Sequence, residues 1–124
     1  MRHPIALHRR YYPRGGSGEV RDYLDALRRN GQKKKAAAKL DIDIQTVETF
    51  WPRTMNVTVR ILRGWEPLWE LKRLFDKIAY RIFFCIRKDE LWLLSVYEKE
   101  SEKTPRGELE RAYRRMREVL EDKA

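Results

Sequence analysis

The residues of this sequence best suited to chemistry are cations that interrupt or follow apolar segments. Arg81 stands inside the run IAYRIFFCI, while Lys99 and Lys103 follow the apolar stretch LLSVY, which ends at Tyr97. An unpaired charge is costly inside an apolar segment, so Arg81 requires an anion beside it, either resident or visiting. Lysine and arginine donate charge-assisted hydrogen bonds to phosphate oxygens. The pattern therefore indicates a phosphate-facing site supplied by adjacent strands.

Each of these residues also has a structural interpretation. Arg81 can form a bridge across the sheet with Glu70, and Tyr97 can be an ordinary aromatic residue of the core or its rim. The tract from Glu98 to Lys103 mixes both signs of charge, which is typical of a solvated surface segment. The residues alone leave both interpretations open at each position.

The balance of charge favours an anionic partner. The 124-residue chain carries 28 Lys and Arg against 19 Asp and Glu, which gives a formal charge of +9. Such an imbalance adds self-repulsion without helping the fold, so a phosphate-rich or acidic partner explains it better than a solvated basic surface does. The apolar fraction of 42% suffices for a core, and the length predicts a single domain over residues 1–124.

Several kinds of site and location are not expected. Cys85 is the only cysteine, so no intramolecular disulfide can form, and with only His3 and His8 no zinc site of familiar spacing can be built. We therefore expect neither a metal ion nor another cofactor. No stretch approaches the roughly 20 apolar residues of a membrane span, and the N-terminus lacks the apolar core of a signal peptide. These features predict a cytoplasmic protein.

The first half of the chain predicts a strand and two helices. The strand covers Ile5 to Tyr12. Ser17 is a suitable N-cap for the first helix, which Asn30 and the following glycine close. A second helix runs from about Lys33 to about Phe50, with apolar residues recurring on one face.

The second half predicts a meander of strands and a last helix. Alternating apolar residues begin after Arg53, and three strands cover Leu68–Leu74, Ile78–Ile86 and Leu91–Tyr97. Their short connections favour antiparallel pairing. A basic helix follows Pro105. The prediction is an α+β domain in the order β-α-α-β-β-β-α, with a small twisted antiparallel sheet and helices packed on one face.

Three motifs in this order resemble a known family. LWELK, then YRIFF, then the apolar strand leading into YEKESEKTP and a basic helix are similar to the HigB/Gp49-like branch of the RelE/ParE toxin superfamily. The resemblance covers Arg60 to about Leu120. It implies a RelE-like domain that is the toxin of a type II toxin–antitoxin system. Such a toxin usually cleaves mRNA, often on the ribosome, until a cognate antitoxin of the helix-turn-helix type binds it.

The resemblance also implies functions for particular residues. The implied reaction is metal-independent attack of a ribose 2′-OH on the neighbouring phosphate, which leaves a 2′,3′-cyclic phosphate and a 5′-OH end. Tyr97 is suited to act as general base or to stack on a base. The candidate catalytic residues are Arg81, Lys99, Tyr97 and Lys72. The candidate contacts to the RNA backbone are Lys103, Arg60, Arg114, Arg115 and Arg117.

Three positions depart from the family pattern. The family histidine aligns with Ser95, the second lysine of its Lys-Lys pair with Glu100, and the arginine of its first strand motif with Lys72. Lys72 keeps the positive charge but loses the bidentate guanidinium. Two alternative functions stay open. One is a ParE-like toxin that poisons DNA gyrase, against which Lys99 and Lys103 argue mildly, and the other is a non-catalytic RNA-binding protein, which Ser95 and Glu100 leave open.

Overall fold

A computed structural model describes residues 6–15, 18–99 and 103–123. In chain order the elements are β1 (His8–Tyr11), α1 (Glu19–Arg29), α2 (Lys34–Phe50), β2 (Thr58–Ile61), β3 (Trp69–Phe75), β4 (Ile78–Arg87), β5 (Glu90–Lys99) and α3 (Arg106–Leu120). They confirm the α+β class, with two helices near the N-terminus and one at the C-terminal end. The alternating residues after Arg53 form a strand of their own, so the observed order is β-α-α-β-β-β-β-α.

The five strands form one mixed sheet in the order β1-β5-β4-β3-β2. Strands β2 to β5 are the expected antiparallel meander. β1 instead pairs with β5 in parallel, with His8 opposite Glu90 and Tyr11 opposite Leu93, which corrects the expectation of a wholly antiparallel sheet. The direction of β1 depends on where the chain returns after two helices and three strands, and no local pattern records that return.

Helices cover both faces of the sheet, whereas the sequence predicted them on one face. α1 and α2 pack on the face that carries Tyr80, Ile82 and Phe84. α3 packs on the opposite face, where Met116 lies in one apolar cluster with Phe83. The physical reason lies in β4, whose successive residues are buried on both sides. A strand that is apolar on both sides requires cover on each face of the sheet.

The start of α1 is a tight approach between two parts of the backbone. The predicted strand start Ile5 and the predicted N-cap Ser17 lie outside the described residues, and α1 begins after Gly18. A Cβ atom on Gly18 would lie 2.0 Å from the carbonyl oxygen of Tyr12. No side chain fits in this gap, so the junction between β1 and α1 requires glycine here.

The other helices follow the predicted patterns with small shifts. α3 begins at Arg106, with Pro105 as its N-cap rather than as its first helical residue. Val119 occupies a buried position, whereas Leu120, predicted for the apolar stripe, is exposed. The predicted apolar stripe of α2 is buried at Ala36, Leu40, Ile44 and Val47.

A bulge in β5 changes which way its later side chains point. The register shifts between Phe83 and Phe84 of β4, so Leu94 is an extra residue on β5. An extra residue reverses the alternation of the side chains that follow it. Leu93 accordingly lies in the cluster beneath α1 and α2, while Tyr97 packs against the cluster beneath α3.

Candidate active site

The four candidate catalytic residues lie on one face of the sheet. Lys72 on β3, Arg81 on β4 and Tyr97 on β5 occupy directly opposite positions in the register. Side chains in such positions have Cβ atoms about 4.5–5.5 Å apart. Lys99 lies opposite Ala79 and therefore on the diagonal from Arg81, a spacing of about 7–8 Å. Lys72, Arg81, Tyr97 and Lys99 are called the cationic row below.

The bulge in β5 is what completes the cationic row. Strict alternation from Leu93 would place Tyr97 against α1 and α2, on the face away from Arg81. With the extra residue Leu94, Tyr97 instead lies on the α3 side, and Lys99, two residues later, shares that side. One added residue thus turns two side chains of β5 toward Arg81.

Exposure divides the cationic row into outer and inner members. Lys99 is exposed, and Lys72 and Tyr97 are half-buried. Arg81 is only 1% exposed. A ligand at the surface can therefore meet Lys99, Lys72 and the Tyr97 ring directly. Arg81 lies beneath them, and contact between its guanidinium and a ligand requires a side-chain movement.

Glu70 compensates the charge of Arg81 in the free protein. Arg81 Nη1 lies 3.4 Å from Glu70 Oε1 and 3.3 Å from Oε2, and Glu70 is also 1% exposed. Arg60 Nε donates to the same Oε1 at 3.2 Å, from a side chain that is 63% exposed. One buried carboxylate therefore serves two arginines. The bridge that the sequence allowed between Arg81 and Glu70 is present, and the participation of Arg60 in it was not foreseen.

Ser95 and Cys85 are unsuited to act as nucleophile or proton carrier at this site. Ser95, at the position of the family histidine, is fully buried, and its Oγ has no hydrogen-bond partner among the described residues. Burial raises the pKa of the Cys85 thiol to about 12, which keeps it protonated at neutral pH. Glu100, the other departure from the family pattern, lies outside the described residues.

The remaining candidate RNA contacts do not converge on one place. Arg60 adjoins the cationic row through Glu70, and Lys103 is exposed in the connection between β5 and α3. Arg114 is exposed on α3. Successive helical positions point about 100° apart, so the neighbouring arginines of α3 face different directions. Arg117, for example, is exposed and donates at 3.0 Å to Glu121, the residue that caps the C-terminus of α3.

Arg115 belongs to an internal network that the sequence did not reveal. Its Nη1 donates to Glu19 Oε1 at 3.1 Å and to the carbonyl oxygen of Leu94 at 2.8 Å. Glu19 also accepts from Arg111 Nη1 at 2.7 Å and from the backbone N–H of Val96 at 3.0 Å. The network joins α1 and α3 to the bulge of β5. Acidic residues are ordinary in the first turn of a helix, so Glu19 carried no signal of this contact.

Two open cavities lie away from the cationic row, one beside β1 and one beside α2 and β2, and no member of the row lines either. Within residues 6–15, 18–99 and 103–123, no helix is both long enough and apolar enough to cross a membrane. The same ranges hold no group of three His, Cys, Asp or Glu side chains placed to bind a metal ion.

The fold and the site define a small α+β domain with a basic sheet face. The family model described as phage-derived protein Gp49-like (DUF891) matches residues 22–117 of the 124-residue chain. The protein belongs to this Gp49-like family, which is of the RelE toxin type and whose members are often toxins of toxin–antitoxin systems. The HigB branch stays a prediction. No curated protein and no solved structure is significantly similar to the chain.

Proposed function

We propose that the protein is the toxin of a type II toxin–antitoxin pair and a metal-independent endoribonuclease that cleaves mRNA in association with the ribosome. The observation that carries this proposal is the cationic row, in which three strands present Lys72, Arg81, Tyr97 and Lys99 on one face. Membership of the Gp49-like family supports the toxin class and an antitoxin partner.

The reaction needs a proton acceptor, a charge stabiliser and a proton donor. The ribose 2′-oxygen loses its proton and bonds to the adjacent phosphorus, the bond from phosphorus to the 5′-oxygen breaks, and that oxygen takes up a proton. Negative charge accumulates on the phosphorus oxygens in between, where loss of one well-placed donor typically costs about 3–4 kcal/mol. Lys72 and Lys99 are the accessible cations of the row and are assigned to this charge.

Tyr97 and Arg81 act beside these lysines. The half-buried Tyr97 lies on β5, two residues before Lys99 and directly opposite Arg81 of β4, where its phenol oxygen can exchange a proton with the ribose or its ring can stack on a base. Arg81 can leave Glu70 and turn to a phosphate, which exchanges one anion for another. Arg60 would then still compensate the buried Glu70 carboxylate.

The antitoxin is proposed to be a protein of the helix-turn-helix type that prevents RNA from reaching the cationic row. Its binding would leave the toxin inactive without changing the fold. A small neighbouring reading frame that encodes such a protein, and whose product restores growth when expressed with this chain, would support the assignment of the pair.

The test is to map RNA ends after brief expression of the chain in a bacterial host. New 5′-OH ends within messages are expected within minutes, and Lys99→Ala should abolish them without loss of folded protein. DNA damage with intact messages would instead indicate gyrase poisoning. RNA binding by the purified protein with no new ends would indicate a non-catalytic RNA-binding protein.

A further inference from the structure

An open cavity of about 910 Å³ lies at the β1 edge of the sheet and is rich in arginine. Its lining includes Arg9, Arg10, Tyr11, Arg14, Arg21 and Arg28. We call this cavity the β1 cavity. We propose that the β1 cavity binds the phosphodiester backbone of single-stranded RNA at a site separate from the cationic row. The cavity volume is at the upper end of those of ordinary ligand sites, which suits several linked phosphate groups better than one small anion.

The β1 cavity is well separated from the proposed cleavage site. Trp92 of β5 also lines it, and Lys99 follows seven residues later on the same strand. At about 3.3 Å per residue, Trp92 and Lys99 lie roughly 23 Å apart along β5. A strand bound at both places would therefore be gripped well away from its scissile phosphate.

Three of the arginines have ion pairs that a phosphate can replace. Arg10 Nε lies 3.1 Å from Glu90, with 56% of the arginine side chain exposed. Arg14 pairs at 3.1 Å and Arg28 at 2.7 Å, with 52% and 44% of their side chains exposed. The partners of Arg14 and Arg28 are exposed as well, at 61% for Asp122 and 43% for Asp25, so exchange of these two pairs for a phosphate costs little. Glu90, which like Asp25 lines the cavity, is 18% exposed, so the pair of Arg10 is the harder one to exchange. Arg21 forms no ion pair with any described residue.

Aromatic rings support two of these guanidinium groups. Arg21 lies over the ring of Tyr11, with its Cζ 5.9 Å from the ring centroid. Arg14 lies over the ring of Trp92 at 5.5 Å. Stacking uses the flat face of a guanidinium and leaves the in-plane N–H groups able to donate to a bidentate anion. The rings therefore reduce the freedom of both side chains without consuming their donors.

Arg9 fixes the strand beneath this group. It is 18% exposed, and its Nε and Nη2 donate to the two carboxylate oxygens of Glu48 at 3.0 and 2.8 Å. Burial opposes its charge, but the hydrogen bonds with Glu48 and Tyr11 prevail and raise the pKa of Arg9. Arg9 thus holds β1 against α2 and is not counted among the exchangeable cations.

The combination of arginines with aromatic rings favours RNA over an acidic protein segment. Sites for single-stranded nucleic acid combine a cationic groove with aromatic or guanidinium planes on which bases stack. The Trp92 ring is 1% exposed and lies under Arg14, so the planes left for bases are the exposed guanidinium groups of Arg14 and Arg21. An acidic peptide would pair with their charges but has no base to stack on them. The choice of RNA as the strand rests on the proposed function, whereas the site itself rests on the cavity.

The test measures binding in a background that does not cut RNA. A labelled uridine RNA of about 12 nucleotides is titrated with Lys99→Ala protein, and anisotropy gives the affinity between about 50 and 300 mM KCl. Adding Arg14→Ser and Arg21→Ser should weaken binding about tenfold and reduce the slope of log affinity against log salt by about 1.4, or 0.7 for each lost phosphate contact. If the double serine variant does not fold, Arg21→Glu alone replaces it, because Arg21 is exposed and its substitution should leave the fold intact. This single variant must also weaken RNA binding.

The matched control removes two charges from a surface outside the cavity. Lys34 and Lys35 are exposed on α2 and line neither cavity, so Lys34→Ser with Lys35→Ser should change affinity less than twofold. Equal losses in the test and control variants would overturn the proposal. A polyglutamate peptide provides a second test. If it binds the Lys99→Ala protein more tightly than the RNA does, and loses that binding when Arg14→Ser and Arg21→Ser are added, the cavity binds acidic protein and the proposal is overturned. Because binding is measured without cleavage, failure here is distinguishable from failure of the nuclease assignment.

Discussion

The guanidinium of Arg81 and the carboxylate of Glu70 form an ion pair at 3.3 Å in which each residue is 1% exposed. This pair lies under the accessible members of the cationic row and connects it to Arg60 at the β2 edge. A buried ion pair is costly to break on one side only, because the remaining charge has lost its partner and is still away from water.

The first prediction is that removal of Arg81 alone damages stability more than removal of the pair. Arg81→Met should cost about 3–5 kcal/mol of unfolding free energy, reduced to the extent that Arg60 still compensates Glu70. Combining it with Glu70→Leu should recover at least half of that loss. Urea unfolding of both single variants and the double variant measures the coupling. Additive losses would show that the ion pair contributes nothing beyond its separate residues.

The second prediction separates chemistry from folding. Lys99 is exposed at the end of β5, so Lys99→Ala should change the unfolding free energy by less than about 0.5 kcal/mol. Its loss should lower the rate of RNA cleavage about 100-fold or more if the ammonium stabilises the phosphorane. Lys35→Ala removes an equally exposed charge on α2 and should leave the rate unchanged. Similar rates in the two variants would remove Lys99 from the mechanism.

The third prediction concerns the junction between β1 and α1. Gly18→Ala should destabilise the protein by about 1–3 kcal/mol, because the added Cβ would lie 2.0 Å from the carbonyl oxygen of Tyr12 and the backbone must shift. Gly107 is the matched control, since it lies in α3 with nothing within 4 Å of an added Cβ. Gly107→Ala should be stabilising by about 0.5–1 kcal/mol through helix propensity. In thermal unfolding, the midpoint temperature should fall for Gly18→Ala and rise for Gly107→Ala.

The fourth prediction distinguishes a structural arginine from a surface one on α3. Arg115→Ala breaks hydrogen bonds to Glu19 and to the carbonyl oxygen of Leu94, and should cost about 1–3 kcal/mol. Arg114→Ala, on an exposed neighbour, should stay within about 0.5 kcal/mol of the parent. Chemical denaturation gives both values. A parent-like stability for Arg115→Ala would contradict the network and restore Arg115 as a free candidate for RNA contact.

The fifth prediction concerns acid stability. The hydrogen bond from Trp92 Nε1, followed by that from Arg10, lowers the pKa of Glu90 below its ordinary value of 4.5. A carboxylate whose pKa is lowered by folding contributes stability that is fully present above pH 4.5 and is lost as pH falls through its folded value. As the pH is lowered from 4.5, the Glu90→Gln variant should therefore lose less stability than the parent protein does. Thermal unfolding across that range tests it, and parallel profiles for the two proteins would refute it.

Much of the local structure followed from the sequence because it depends on near neighbours. The period of α2 predicted its buried stripe, and the alternation in β4 placed Arg81 on the side opposite Tyr80 and Ile82. The same alternation placed Glu70 and Lys72 on one side of β3. The half of the candidate site that β3 and β4 supply was therefore predictable, including the possible bridge between Arg81 and Glu70.

The half supplied by β5 was decided only by the tertiary structure. Period-two alternation along β5 gives the wrong side for Tyr97 and Lys99, because Leu94 is an extra residue that reverses it. A bulge arises from the pairing of two strands, and neither strand records it alone. The parallel direction of β1, the placement of α3 on the second face and the contacts of Glu19 are likewise products of distant segments.

The sequence by itself determined the α+β class, the faces of its helices and the identity of the cations, since propensity, period and charge are properties of the local chain. Only the tertiary structure decided that Lys99 and Arg81 share a face, that Arg81 is buried on Glu70, and that a group of arginines surrounds a cavity at β1. Those facts require strand register and packing between segments far apart in the chain, and local interactions do not specify either.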